Sequence, residues 1–438
     1  MRQEDILETE ASSDLTYGDY KYSVSGNEVT ITGYTGSDTS LVIPAEIDGK
    51  VVRRIGYEAF RACANLKTVE LTGNVNRIDA YAFAGCKSLV SIDIPQGVEA
   101  IGEYAFSSCK NLKIINLPEG LKTIGKRFLA GTAVTSLTIP STVASGGEAY
   151  GGVTDQAEAL ERIVFAEGIT RIPDYFCNNY SMETALASVE IPESVTEIGS
   201  EAFGACTNLK TVELTGNVNR IDTYAFAGCK SLVSIDIPQG VEAIGEYAFS
   251  SCKNLKIINL PEGLKTIGKR FLAGTAVTSL TIPSTVASGG EAYGGVTDRA
   301  EALERIVFAE GITRIPDYFC NNYSMETALA SVEIPESVTE IGSEAFGACT
   351  NLKTVELTGN VNRIDTYAFA GCKSLVSIDI PQGVEVIGEY AFSSCKNLKI
   401  INLPEGLKTI GKRFLAGTAV TSLTIPSTVE SEERLMEV

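Results

Sequence analysis

LVSIDIPQGVEAIGEYAFSSCKN, residues 89–111, spells the pattern L-x-x-I-x-I-P-x-x-V-x-x-I-G-x-x-A-F-x-x-C-x-x. The opening L-x-x-I-x-I alternates apolar and polar side chains as a half-buried strand does, which turns Leu89, Ile92 and Ile94 inward and Asp93 outward. Pro95 removes a ladder donor and ends the strand. Val98 and Ile101 supply a second inward pair before Gly102 permits a tight bend. Ala105, Phe106 and Cys109, spaced by one and three, suit a short helical turn packed on the same core. One row of 23 residues cannot bury its own apolar edge, so rows must stack and the end rows must be covered.

Rows of this kind run along most of the chain. They begin at Leu41, Leu66, Leu89, Leu112, Val134, Leu160 and Leu186, and then recur, for about seventeen rows in all. A longer period lies over them: LKTVELTGNVNRID starts at Leu66, Leu209 and Leu352, a spacing of 143 residues. Row lengths of 23, 23, 22, 26, 26 and 23 together make that period. Blocks 66–208 and 209–351 differ at Ala80 against Thr223 and Gln156 against Arg299, and the partial block 352–429 carries Val386 where the second has Ala243. Such near-identity is that of very recent duplication or deliberate assembly, not of ancient fold symmetry.

The I-P-x-x-V-x-x-I-G-x-x-A-F-x-x-C rows resemble the BspA-like leucine-rich repeats of bacterial surface proteins, over residues 28 to 429. The lead-in from Gly26 to Phe60 is similar to the usual opening of such arrays. The fold expected is an α/β repeat: a curved leucine-rich-repeat solenoid with one parallel strand per repeat and short helical or irregular convex segments. At about 4.8 Å per row the ladder is on the order of 80 Å long. The resemblance implies adhesion, through binding of host matrix proteins or other cells, and carries over no catalytic residue.

The domain organisation follows. Residues 1–16 are a flexible segment, and 17–40 form a hairpin cap turning at Ser25-Gly26-Asn27. Residues 41–429 are the solenoid, and 430–438 a charged, loosely ordered tail. Because the pattern stops in mid-row at Val429, the C-terminal row also offers end-to-end self-association.

Composition removes several functions. Lys plus Arg total 36 against 55 Asp plus Glu, a net charge of −19 that repels phosphate backbones and anionic lipid, so nucleic acid is a poor partner. Neither an apolar leader nor a run of eighteen apolar residues is present, which argues against direct membrane insertion. The family resemblance nevertheless implies a secreted or cell-surface protein. Histidine is absent, and with it go the usual serine and cysteine triads, histidine zinc sites and haem ligation. No cofactor or metal is expected, since no D-x-[DN]-x-[DN]-G calcium loop occurs. Of eleven cysteines, Cys63, Cys86, Cys109, Cys206, Cys229, Cys252, Cys349, Cys372 and Cys395 fill one equivalent slot. Thr132, Thr275 and Thr418 take it in variant rows, so the slot asks for small size and the thiols read as free core residues. Cys177 and Cys320, at a position normally held by phenylalanine, read the same way.

The remaining candidates are surface positions. The glycine-bearing insert 144–159, with its near-copy 287–302, lacks the G-K-[ST] ending of a phosphate loop and reads as a surface loop presenting Tyr150 and Tyr293. A second insert, 172–185 and 315–328, carries Tyr180 and Tyr323, either exposed as interface anchors or packed locally. Outward strand positions Lys67, Glu70, Asp93, Asn116, Glu161 and Glu190 form a dispersed mixture unlike the paired acids of a glycosidase. The expectation is a non-enzymatic, protein-binding solenoid. Its alternatives are a spacer of variable repeat number and an engineered repeat.

Overall fold

The computed structural model describes residues 15–144, 151–179, 185–287, 294–322 and 328–429. Contacts divide the chain into two compact units, one made of residues 1–169 and 173–189, the other of 170–172 and 190–438. Each is a parallel-strand solenoid, and the chain makes about 16 turns.

In the first unit, strands Leu15–Tyr17, Tyr20–Ser25 and Glu28–Tyr34 pair antiparallel. Glu28–Tyr34 then pairs in parallel with Lys50–Ile55 and so closes the first row, with Val29 and Ile31 fully buried. From there two ladders run side by side. One joins Ser40–Val42, Thr68–Glu70, Ser91–Asp93 and Ile114–Ile115; the other joins Lys50–Ile55, Arg77–Ile78, Ala100–Ile101 and Thr123–Ile124. Most rows thus contribute two strands where one was expected, while among the described residues the rows from Val134 and Val277 contribute only Ser136–Ile139 and Ser279–Ile282. The V-x-x-I-G half of the pattern is too short to show alternation, but its inward isoleucine pairs with the isoleucine of the next row, as Ile78 does with Ile101.

The second unit repeats this plan. Arg171–Ile172, Glu197–Ile198, Arg220–Ile221, Ala243–Ile244 and Thr266–Ile267 form one ladder. Arg314–Ile315, Glu340–Ile341, Arg363–Ile364, Val386–Ile387 and Thr409–Ile410 form its counterpart.

The core lies between the ladders and the turns behind them. Leu89, Val98, Ala105, Phe106 and Cys109 are fully buried. Phenylalanines stack row on row, Phe203 on Phe226 at 5.2 Å and Phe226 on Phe249 at 5.5 Å, nearly parallel.

The expected helical segments are corrected: the described residues contain no helix, and A-F-x-x-C is a pair of tight turns. Cys109 N–H bonds the Phe106 carbonyl at 3.2 Å, while Phe106 N–H and Ser108 N–H reach forward to the Phe128 and Ala130 carbonyls of the next row at 2.9 and 2.7 Å. Donors spent on the neighbouring row cannot close i to i−4 rings, so helix propensity loses to stacking. Tyr104 and Ser108 adopt the left-handed conformation at φ 54° and 59° to make this geometry.

Candidate functional site

Each strand buries its middle residue and offers its flanks to solvent, so the outer ladder presents columns of side chains whose register the pairing sets. In the first unit Thr68 lies beside Ser91 and Glu70 beside Asp93, and Ser91 lies beside Ile114. Lys67 and Lys113 are exposed at the start of their strands, and Asn116 is exposed just beyond Ile115. The structure therefore gathers Lys67, Glu70, Asp93 and Asn116 onto three consecutive rows. Glu161 is exposed before the strand Arg162–Phe165, its carbonyl accepting Ala187 N–H at 2.8 Å. Glu190 is exposed at the end of Ser188–Glu190. Tyr150, Tyr180, Tyr293 and Tyr323 lie outside the described residues.

The sequence reading missed the middle of this surface. Val90 is 46% exposed in the column between Lys67 and Lys113, and Ile114 is 64% exposed beside Ser91, with Glu70 and Asp93 at the far end of the same strands. The second unit holds the same arrangement twice, around Val233 and Ile257 and around Val376 and Ile400, each at least half exposed. There Asp236 lies beside Asn259 and Asp379 beside Asn402. The signal was available, because L-V-S-I and L-K-I-I put an aliphatic side chain at an outward position where L-K-T-V puts lysine and threonine.

On the turn side, rings of Tyr81 and Tyr104 stack at 4.8 Å. Arg127 donates from Nη1 to the Tyr104 hydroxyl at 2.7 Å and from Nε to Asp155 at 2.6 Å. Asp155 is 1% exposed, so this pair anchors the latter part of the first insert. Tyr247, Arg270 and Asp298 repeat it. Burial of Arg270 opposes its charge, but the bonds to Tyr247 and Asp298 outweigh that and raise its pKa.

The cysteines have structural surroundings. Cys63 is half-buried and the other ten are buried. Cys109 Sγ donates to the Phe83 carbonyl of the preceding row at 3.1 Å. Burial pushes the Cys349 thiol up to about 12 and raises Cys320 as well, the opposite of what a nucleophile needs. Among the described residues no group of three acidic or thiol side chains is placed to hold a metal ion, and no helix is long and apolar enough to cross a membrane.

Comparison with known proteins bears on the fold. The family model of the BspA type leucine rich repeat region matches in 6 copies, over residues 34–150, 170–293 and 313–434. A leucine-rich repeat protein from Bacteroides ovatus is similar at 27% identity over 92% of both chains, with a TM-score of 0.53. A leucine rich cell surface protein from Faecalibacterium prausnitzii matches at 23% identity over 94% of both chains, TM-score 0.31. The pneumococcal vaccine antigen PcpA matches at 18% identity over 80% of this chain and 93% of its own, TM-score 0.41. No curated protein matches the chain. With its rows, its two ladders and a family match over most of its length, the chain belongs to the BspA-type leucine-rich repeat family.

Proposed function

We propose that this chain is a non-enzymatic adhesin, secreted or displayed on a bacterial surface, that binds host or neighbouring-cell proteins through its exposed strand face. The observation that carries the reading is the thrice-repeated patch in which Val90, flanked by two lysines of the adjacent rows, and Ile114, or their equivalents, stand in solvent on strands that end in exposed carboxylates. An exposed aliphatic centre with a charged rim is the anatomy of a protein interface, and it costs solubility unless something covers it. Lys67, Glu70, Asp93, Asn116, Glu161 and Glu190 are the proposed rim contacts.

The test is surface plasmon resonance of the chain against immobilised extracellular matrix proteins, compared with a Val90→Glu, Val233→Glu, Val376→Glu variant. At least one matrix protein should bind, and the variant should bind it tenfold or more weakly. Absence of binding to the whole set, or unchanged binding by the variant, defeats the reading.

A further inference from the structure

Four lysines collect at the strand entrances of each block, in a chain whose net charge is −19. In the first unit they are Lys67, Lys87, Lys110 and Lys113, all exposed. The backbone sets their spacing. Val90 N–H bonds the Lys67 carbonyl at 2.9 Å and Lys113 N–H bonds the Val90 carbonyl at 3.4 Å, so these two lysines stand on either side of Val90. In the turns just before, Lys87 and Lys110 take the same place in consecutive rows, which Asn111 Nδ2 ties together by donating to the Lys87 carbonyl at 2.8 Å. Residues 61–69, 84–92 and 107–116, which make these three strand entrances, contain no Asp or Glu.

The second unit builds the group twice more. Lys210, Lys230, Lys253 and Lys256 stand around Val233, with Lys256 N–H on the Val233 carbonyl at 2.9 Å and Asn254 Nδ2 on the Lys230 carbonyl at 2.8 Å. Lys353, Lys373, Lys396 and Lys399 stand around Val376, joined by the same two bonds at 2.9 and 2.8 Å. Other lysines of this chain meet a carboxylate of the neighbouring row: Lys122 meets Glu99 at 2.9 Å, and Lys265 meets Glu242 and Lys408 meets Glu385 at 2.8 Å. Among the described residues none of these three groups of lysines forms such a pair. Lys87 and Lys110 are instead like charges on rows about 4.8 Å apart, an arrangement that costs stability until an anion comes between them.

The surroundings decide which anion fits. Each group spans two row spacings, from Lys67 to Lys113 in the first, roughly 10 Å or the length of about three extended residues. Beyond it the same two positions turn acidic, with Glu158 and Glu161 exposed in the first unit and Glu301 and Glu304 in the second. A long polyanion is repelled there, whereas a short acidic stretch is not. Exposed Glu70 and Asp93 at the strand ends close the other side, which lays such a stretch across the rows and not along a strand. Its centre meets Val90 and Ile114, aliphatic side chains that a sulfated polysaccharide has nothing to cover with and a leucine does.

We propose that each lysine group binds a short acidic segment of a partner protein, its carboxylates on the lysines and an aliphatic side chain between them on the valine and isoleucine. This rests on the strand-face reading and names the kind of segment that face takes. The probe is acetyl-Asp-Glu-Leu-Asp-Glu-amide carrying an uncharged fluorophore, titrated with the full chain and followed by anisotropy. It should bind about tenfold more tightly than its Asn-Gln-Leu-Asn-Gln counterpart, and more weakly as salt is raised.

Lys87→Gln, Lys110→Gln, Lys230→Gln, Lys253→Gln, Lys373→Gln and Lys396→Gln, combined in one protein, change only exposed side chains and should weaken peptide binding about tenfold. Lys122→Gln, Lys265→Gln, Lys408→Gln, which removes positive charge from the second ladder instead, should bind as wild type does. Absence of peptide binding overturns the proposal, as does equal binding of the amide counterpart, unchanged binding by the six-lysine variant, or tighter binding of a heparin tetrasaccharide than of the peptide. A matrix protein that the Val90→Glu, Val233→Glu, Val376→Glu protein loses and the six-lysine variant keeps defeats the acidic-segment inference alone. Peptide binding that needs the lysines, with no matrix protein bound, defeats the adhesin reading alone.

Discussion

The glycine after the second strand is the residue on which row spacing turns. A Cβ added to Gly245 would lie 2.4 Å from Thr223 N and 2.5 Å from the Asp222 carbonyl carbon, both backbone atoms of the row before. Backbone in a stacked array cannot give way, so Gly245→Ala should cost about 1–3 kcal/mol, as overpacking does. Gly216, with nothing within 4 Å of its added Cβ, is the control, and thermal denaturation of the two variants should separate them by several degrees. The thiols carry a second test. A group whose pKa is raised on folding gives stability that is complete below its unfolded value and is lost as the pH climbs to its folded one. For Cys349 that window runs from 9.0 to about 12. The melting temperature should therefore fall across this range, and Cys349→Ala should flatten the fall. The cysteine slot itself was legible, because threonine occupies it in variant rows; the direction of the thiol, toward a carbonyl of the preceding row, required coordinates.

Among the elements, the arginine between stacked tyrosine and buried aspartate is the one that ties an insert to the stack. Removing one member of a buried ion pair leaves the other without its partner, at about 3–5 kcal/mol. Arg270→Met should therefore raise hydrogen exchange in residues 294–303, next to Asp298, much more than in the rows around Cys395. Exchange rates equal to wild type in both regions would remove the anchoring role. Nothing in the sequence announced this pair, since Arg270 and Asp298 stand 28 residues apart and meet only because an insert folds back onto its row. The outer strands were legible from L-x-x-I-x-I. The inner ones were not, because two residues of a strand carry no period to read.

At the scale of the whole chain, stability is a sum of rows and of the contacts between neighbouring rows, so unfolding need not be a single transition. The second unit carries two copies of the exposed patch, around Val233 and around Val376, six rows apart and so roughly 29 Å along the ladder. Two identical patches on one unit allow two-point attachment. On a dense partner surface a Val90→Glu, Val233→Glu variant, which keeps only the Val376 patch, should weaken apparent affinity by about 10²-fold, the loss of the avidity gain. On a sparse surface, where each chain engages once, the loss of two sites in three should change it by about threefold. Equal effects on both surfaces would rule out two-point binding.

The stacked repeat, the inward residues of the outer strands, the small-residue cysteine slot and the family were all present in the linear order, because each is a matter of period, and period survives without coordinates. Tertiary structure alone decided the second ladder and the replacement of helices by cross-row turns. The reason is common to both. Each depends on whether a backbone amide or a side chain finds its partner in its own row or in the next, a choice made only when the rows lie against each other.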